Sequence, residues 1–213
     1  MDKENFFIIK PFGPSIVKLK IPENLVNKLN VYVDQIIEDE KKSSKLDHGS
    51  NLAGQVSQEF VLEKDFMQEA GWGIFLGNAC DKWVEYIYQK KMSKFEIISS
   101  WIVRQFKNEY NPTHWHGGHI SGVGYLKVPK NLGSWKKNKE KDNVNGCLQL
   151  IHGSKMFMSR SIYTAKPEVG DFYLFPNYLM HAVFPFKDTD EERRSVSFNA
   201  YIDDKIYNDY DQK

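Results

Sequence analysis

Two histidines, His114 and His116, flank a tryptophan in the run His114-Trp115-His116, and His181 follows after a long interval. On an extended strand successive side chains point to opposite faces, so His114 and His116 project together while Trp115 turns the other way, into packing. A third imidazole from a distant strand completes a facial set for a transition metal, iron above all. Beyond His181 comes Arg193-Arg194-Ser195, in a run that puts Arg193, Ser195, Ser197 and Asn199 on one face and Arg194, Val196, Phe198 and Ala200 on the other. A guanidinium fork at such a position suits a carboxylate. Each part also has an ordinary explanation. His-x-His occurs on plain polar faces, His119 can replace either histidine, His181 can be a satisfied strand residue, and Arg193 can pair with Asp190 or Glu191 at the surface. The ordered combination is what points to a metal with an anchored co-substrate.

These residues need a scaffold, and length and composition bound it. The chain has 213 residues, enough for one well-buried domain, and we expect 1–213 to be a single domain. Lys+Arg 29 against Asp+Glu 28 leaves a formal charge of +1, which removes the general electrostatic case for a nucleic-acid or anionic-membrane partner. Cys80 and Cys147 are the only cysteines, too few for a disulfide framework and without zinc-ligand spacing. A reducing compartment, the cytoplasm, fits best, and a single bridge stays open. The start of the chain lacks the long apolar core of a signal peptide, and no later stretch approaches membrane-spanning length.

Two regimes of periodicity divide the chain. Residues 1–92 read as short strands and supporting helices, and 93–203 as the all-β core that carries the chemistry. Residues 6–21 form two strands around a turn at Pro11-Phe12-Gly13-Pro14. A helix then begins at Pro22, with Leu25, Leu29, Val33, Ile36 and Ile37 at helical spacing. Residues 42–58 are polar and rich in Ser, Gly and Asn, a surface loop or a lid. Residues 64–91 are helical, with Gly71, Gly73 and Gly77 as candidate breaks and the pairs Trp83/Ile87 and Val84/Tyr88 as packing. Strands follow at 96–106, 120–128, 147–152, 156–163, 172–175, 181–186 and 193–202. Short strands separated by turn residues favour an antiparallel sandwich or jelly roll over a parallel α/β sheet. The lysine-rich run at 136–143 reads as a solvated hairpin loop.

His114-x-His116, the strand Ser121-Gly122-Val123-Gly124-Tyr125-Leu126, the 167–176 segment with its Gly170-Asp171 turn, His181, and Arg193-Arg194-Ser195-Val196-Ser197-Phe198-Asn199 together resemble the 2-oxoglutarate/Fe(II)-dependent oxygenases, and more narrowly the short hydroxylases of phages and marine bacteria. The likeness covers about residues 95–202. It implies a double-stranded β-helix, a cupin-like jelly roll with helices on its larger sheet. It implies His114 and His181 as iron ligands, with His116 where most members carry Asp or Glu, hence a three-histidine centre. A water or a carboxylate from elsewhere is the alternative third ligand. Arg193 and Ser195 match the element that holds the distal carboxylate of 2-oxoglutarate, and Tyr125 is a further donor. The implied cofactors are Fe(II) and 2-oxoglutarate as co-substrate. The implied reaction uses dioxygen, releases succinate and carbon dioxide, and hydroxylates a C–H group, of a peptide or protein side chain in the first instance and of proline by analogy. The other partner is an unknown substrate, polypeptide or small molecule. By the same resemblance a phage protein would work in the host cytoplasm. Two alternatives stand beside this: a non-catalytic jelly-roll binding module with a degenerate metal site, and a three-histidine dioxygenase that uses no 2-oxoglutarate, against which the Arg193-x-Ser195 anchor argues.

Overall fold

A computed structural model describes residues 6–9, 13–134 and 143–209. Seven strands form one antiparallel sheet in the order β1-β2-β9-β6-β11-β4-β3, and four form a second in the order β5-β10-β7-β8. The strands are β1 (Phe6–Ile9), β2 (Ile16–Lys20), β3 (Gln58–Val61), β4 (Phe95–Gln105), β5 (Asn111–His114), β6 (Ile120–Lys127), β7 (Leu148–Ile151), β8 (Ile162–Ala165), β9 (Asp171–Pro176), β10 (Met180–Val183) and β11 (Arg193–Ile202). The helices are α1 (Glu23–Glu38), α2 (Glu40–Leu46), α3 (Lys64–Ala70), α4 (Trp72–Tyr88) and α5 (Asp204–Tyr207). Two facing antiparallel sheets with long cross-connections make the jelly roll. β1, β2 and β3, from the first 92 residues, are strands of its larger sheet.

The molecule has two apolar cores, one on each face of the seven-stranded sheet. Leu25, Leu29, Val33 and Ile36 of α1 and Trp72, Leu76 and Ala79 of α4 meet Phe172, Leu174, Val196, Phe198 and Ala200 on its outer face. Between the sheets lie Val123, Tyr125, Leu148, Leu150, Tyr173, Phe175 and Val183. β6 is therefore buried on both sides, which explains its glycines. A Cβ on Gly122 would lie 2.6 Å from the Phe198 ring, and one on Gly124 would lie 2.4 Å from the Phe172 ring. Glycine alone lets those aromatics close over the strand.

Several expectations need correction. Residues 42–58 are not one loop: α2 occupies 40–46, because the Asp39 carboxylate caps the Lys41 and Lys42 amides and Leu46 is buried. A 3₁₀ turn follows at Gly49–Asn51, and β3 begins at Gln58. Gly71 does break the 64–91 helix, at φ 83, whereas Gly73 and Gly77 lie inside α4, close to Ile97 and Phe95 of β4. The strand expected at 156–163 starts only at Ile162. Met156 instead pairs with Ser159 in a tight turn whose tip, Phe157 and Met158, is 93% and 92% exposed. α1 begins one residue after Pro22. Cys80 and Cys147 are both free and buried. Among the described residues no helix is long and apolar enough to cross a membrane. Most of the expected hairpin loop at 136–143, and Pro11-Phe12 of the first turn, lie outside the described residues.

Candidate metal centre and its pocket

His114, His116 and His181 converge. Their candidate ligand nitrogens all lie within 4.8 Å of one another, and their ring centroids are 4.3 to 4.9 Å apart. β5 and β10 are neighbours with His114 opposite His181, so both rings leave one face of the smaller sheet. His116 arrives differently from the alternation argument, because β5 ends at His114. Its position is set by Asn177: the His116 amide donates to the Asn177 carbonyl at 3.1 Å, and the Asn177 side chain donates to the His116 carbonyl at 3.1 Å. The Tyr207 hydroxyl in turn donates to Asn177 Oδ1 at 3.3 Å. Trp115 does not pack, as expected of a regular strand, but is 64% exposed, since the chain has left the sheet before it. His119 takes no part. It accepts from the Ile202 amide and stacks on Tyr207 at 3.8 Å.

The three imidazoles are prepared as neutral ligands. His114 Nδ1 sits 2.7 Å from the Pro112 carbonyl and His181 Nδ1 sits 2.9 Å from the Leu179 carbonyl, contacts that hold the proton on Nδ1 and leave Nε2 as the free donor. Burial lowers all three. His181 falls to about 3, with His114 and His116 adding to the effect, and His116 falls to about 4 with a further contribution from His114. His114 is lowered by burial against the opposing carbonyl of Pro112. His116 Nε2 and His181 Nε2 face one another at 3.2 Å. Adjacent nitrogens on a metal with bonds of ~2.1 Å stand roughly 3.0 Å apart, so this pair fits an ion without rearrangement. No carboxylate joins the cluster among the described residues.

One pocket holds this cluster together with Arg193, Ser195 and Ser197 of β11 and Trp101, Val103 and Gln105 of β4. Register explains the grouping, because Arg193 pairs with Gln105, Ser195 with Val103 and Ser197 with Trp101 on one face. Arg193 is 1% exposed and forms no surface pair with Asp190 or Glu191, whose carboxylates serve Lys107 and the Lys130 amide. Its Nη1 donates to Gln105 Oε1, and its guanidinium carbon lies 5.0 Å from the centre of the Tyr125 ring. Nε and Nη2 of Arg193 and the Tyr125 hydroxyl are buried without a hydrogen-bond partner. Donors left over in a sealed place are costly unless a ligand takes them, and a carboxylate is the ligand they fit. Burial raises the Tyr125 hydroxyl, opposed by Arg193, so it remains a neutral donor.

The adjacent Arg194 faces the other way. It donates to Asn30 and Asp34 of α1 and to Glu192, and so ties the helix layer to the sheet. Sequence reasoning missed Gln105, which orients Arg193, Trp101, whose ring lies 5.6 Å edge-on to His116, and Asn177. Asn177 follows a proline at a strand end, a weak turn signal. Nothing local marks the other two.

Residues 99–199 match the family model described as Putative 2OG-Fe(II) oxygenase. The non-heme alpha ketoglutarate dependent epimerase SnoN from nogalamycin biosynthesis has a similar structure, with TM-score 0.58 at 16% identity over 86% of this chain and 76% of that one. AviO1 from Streptomyces viridochromogenes Tue57 gives 0.54 at 10% identity, over 89% and 90%. The viral collagen prolyl hydroxylase vCPH of Paramecium Bursaria Chlorella virus-1, solved with 2OG, gives 0.51 at 15% identity, over 86% and 94%. At such identities the likeness speaks for the jelly-roll fold alone. No curated protein matches in sequence.

Proposed function

Residues 99–199 match the family model described as Putative 2OG-Fe(II) oxygenase, and we propose that the chain is such an oxygenase, that His114, His116 and His181 hold its iron and that Arg193, Ser195 and Tyr125 hold the distal carboxylate of 2-oxoglutarate. The observation that carries this reading is the single pocket in which three neutral imidazoles face a buried guanidinium with two unpartnered nitrogens. The iron, when bound, supplies the chemistry of oxygen activation coupled to decarboxylation of the 2-oxo acid. The chain's own part is positional. Gln105 takes one nitrogen of Arg193 and turns the rest of the fork to the pocket, the Pro112 and Leu179 carbonyls fix two imidazole tautomers, and Asn177 pins His116. With His116 in place of an acid, the protein brings no negative charge to the ion, and the charge of the 2-oxo acid supplies it.

The reaction is hydroxylation of a C–H group on a peptide or protein side chain. The polypeptide reading is taken by analogy from the viral collagen prolyl hydroxylase that shares the fold. An anaerobic titration of the Fe(II)-loaded protein with 2-oxoglutarate tests the site. Chelation produces a visible metal-to-ligand charge-transfer band in wild type, absent in His181→Ala and shifted to higher 2-oxoglutarate in Arg193→Ala. A wild-type protein that binds iron, shows no band and makes no succinate would be a binding module instead.

A further inference from the structure

Two carboxyl groups are sealed from solvent, those of Asp171 and Glu59, and neither oxygen of Glu59 is in a hydrogen bond. Asp171 is answered by the ammonium groups of Lys18 and Lys20 at 2.7 and 2.6 Å. Glu59, 1% exposed, is answered by no cation among the described residues. Its surroundings add negative charge. Asp47 and Glu109 both act on it, and neither has a lysine or arginine partner among the described residues: Asp47 accepts from the Gly49 amide, and Glu109 from Ser57 and the Phe106 amide. A buried polar group without a partner calls for an explanation, and here the sealed Glu59 carboxyl, with the exposed Asp47 and the partly buried Glu109 adding negative charge beside it, calls for a cation.

The location ties this cluster to the metal pocket. Glu59 on β3 lies opposite Val103 on β4, so both face the interior of the jelly roll, and Val103 lines the pocket. Asn111, also in the pocket wall, meets Glu59 at Gly54. A Cβ there would stand 2.9 Å from Glu59 Oε1 and 3.0 Å from Asn111 Oδ1. Residues 47–57 thus form a strap over both oxygens, held by the paired backbone bonds of Gln55 and Tyr110 and by Ser57 on Glu109.

We propose that Glu59, with Asn111, Asp47 and Glu109 around it, receives a positively charged group of the substrate when this strap lifts. Resting on the oxygenase reading above, it assigns the substrate class: a polypeptide with a lysine or arginine near the residue that reacts. An ammonium or guanidinium there replaces a buried, unpaired carboxyl by a charge-assisted hydrogen bond.

The test uses the whole chain without metal or 2-oxoglutarate, at pH 8. n-Butylammonium and n-butylguanidinium, the lysine and arginine side chains without a backbone, are titrated by calorimetry beside 1-pentanol as the neutral probe. Saturable binding of at least one cation is expected, with 1-pentanol at least tenfold weaker. Glu59→Gln and Gly54→Ala should each weaken the cation at least tenfold. The second variant keeps the carboxylate but sets a methyl 2.9 Å from its Oε1, closer than a carbon and an oxygen can stand, so it displaces the carboxylate's surroundings without removing its charge and covers the case in which the first fails to fold. No binding of either cation, equal binding of the neutral probe, or a folded variant that binds like wild type overturns the proposal. Since neither iron nor 2-oxoglutarate is present, a failure of the charge-transfer titration above sinks the oxygenase reading and leaves this result standing.

Discussion

Glu59→Gln makes a stability prediction whose sign and size follow from the burial of one carboxyl. Burial first, then Asp47 and Glu109, push the Glu59 carboxyl from 4.5 up to about 7. Between those values the folded chain keeps a proton that the unfolded chain has released, so stability falls as pH rises through the window and levels off above it. At ~1.4 kcal/mol for each tenfold change in proton affinity, the full loss is about 3 kcal/mol. Glutamine has the same shape and no charge to bury. Its unfolding free energy should lie ~1 kcal/mol below wild type near pH 4.5, for imperfect amide hydrogen bonding, and exceed wild type by ~2 kcal/mol at pH 8, where the full ~3 kcal/mol has been lost by the wild type. Urea unfolding of the metal-free protein at pH 4.5, 6 and 8, followed by tryptophan fluorescence, measures this directly. A difference that is constant across pH, or a variant that loses ground to wild type as pH rises, would refute the reasoning, because the carboxylate would then be compensated in the native state.

The remaining expectations concern the pocket. His181→Ala removes the most buried of the three imidazoles, and iron-dependent succinate formation should vanish while the protein stays folded by circular dichroism. Arg193→Ala removes the guanidinium proposed to hold the co-substrate, so the 2-oxoglutarate concentration for half-maximal turnover should rise roughly 10²-fold, with less effect on the maximal rate. Asn177→Ala frees His116 on both its amide and carbonyl sides and should weaken Fe(II) binding about 10-fold to 100-fold in a competitive chelator titration. Trp115→Ala should change the urea midpoint by an equivalent of no more than about 0.5 kcal/mol, since the ring is exposed.

Much of the architecture was legible before any coordinates. Strand alternation in 193–202, the helical stripe from Leu25 to Ile36 and the Gly-Asp turn before Phe172 are local patterns, and all three stand in the structure. The inward and outward faces of β11 follow from a two-residue period that needs no partner. Failures came where a local pattern was too short to choose. Residues 40–46 form a helix because one aspartate caps them, and Met156-Phe157-Met158 are apolar yet exposed on a turn.

What the sequence determined by itself was therefore composition and period: a β-rich chain, three histidines and an arginine doublet split across one strand. Only the tertiary structure decided which groups meet. Gln105 faces Arg193 from 88 residues away, Asn177 clamps His116, and Glu59 is stranded beside Val103. Those meetings depend on register between strands distant in sequence, where a slip of one residue turns every side chain to the other face, and no short stretch of chain encodes that alignment.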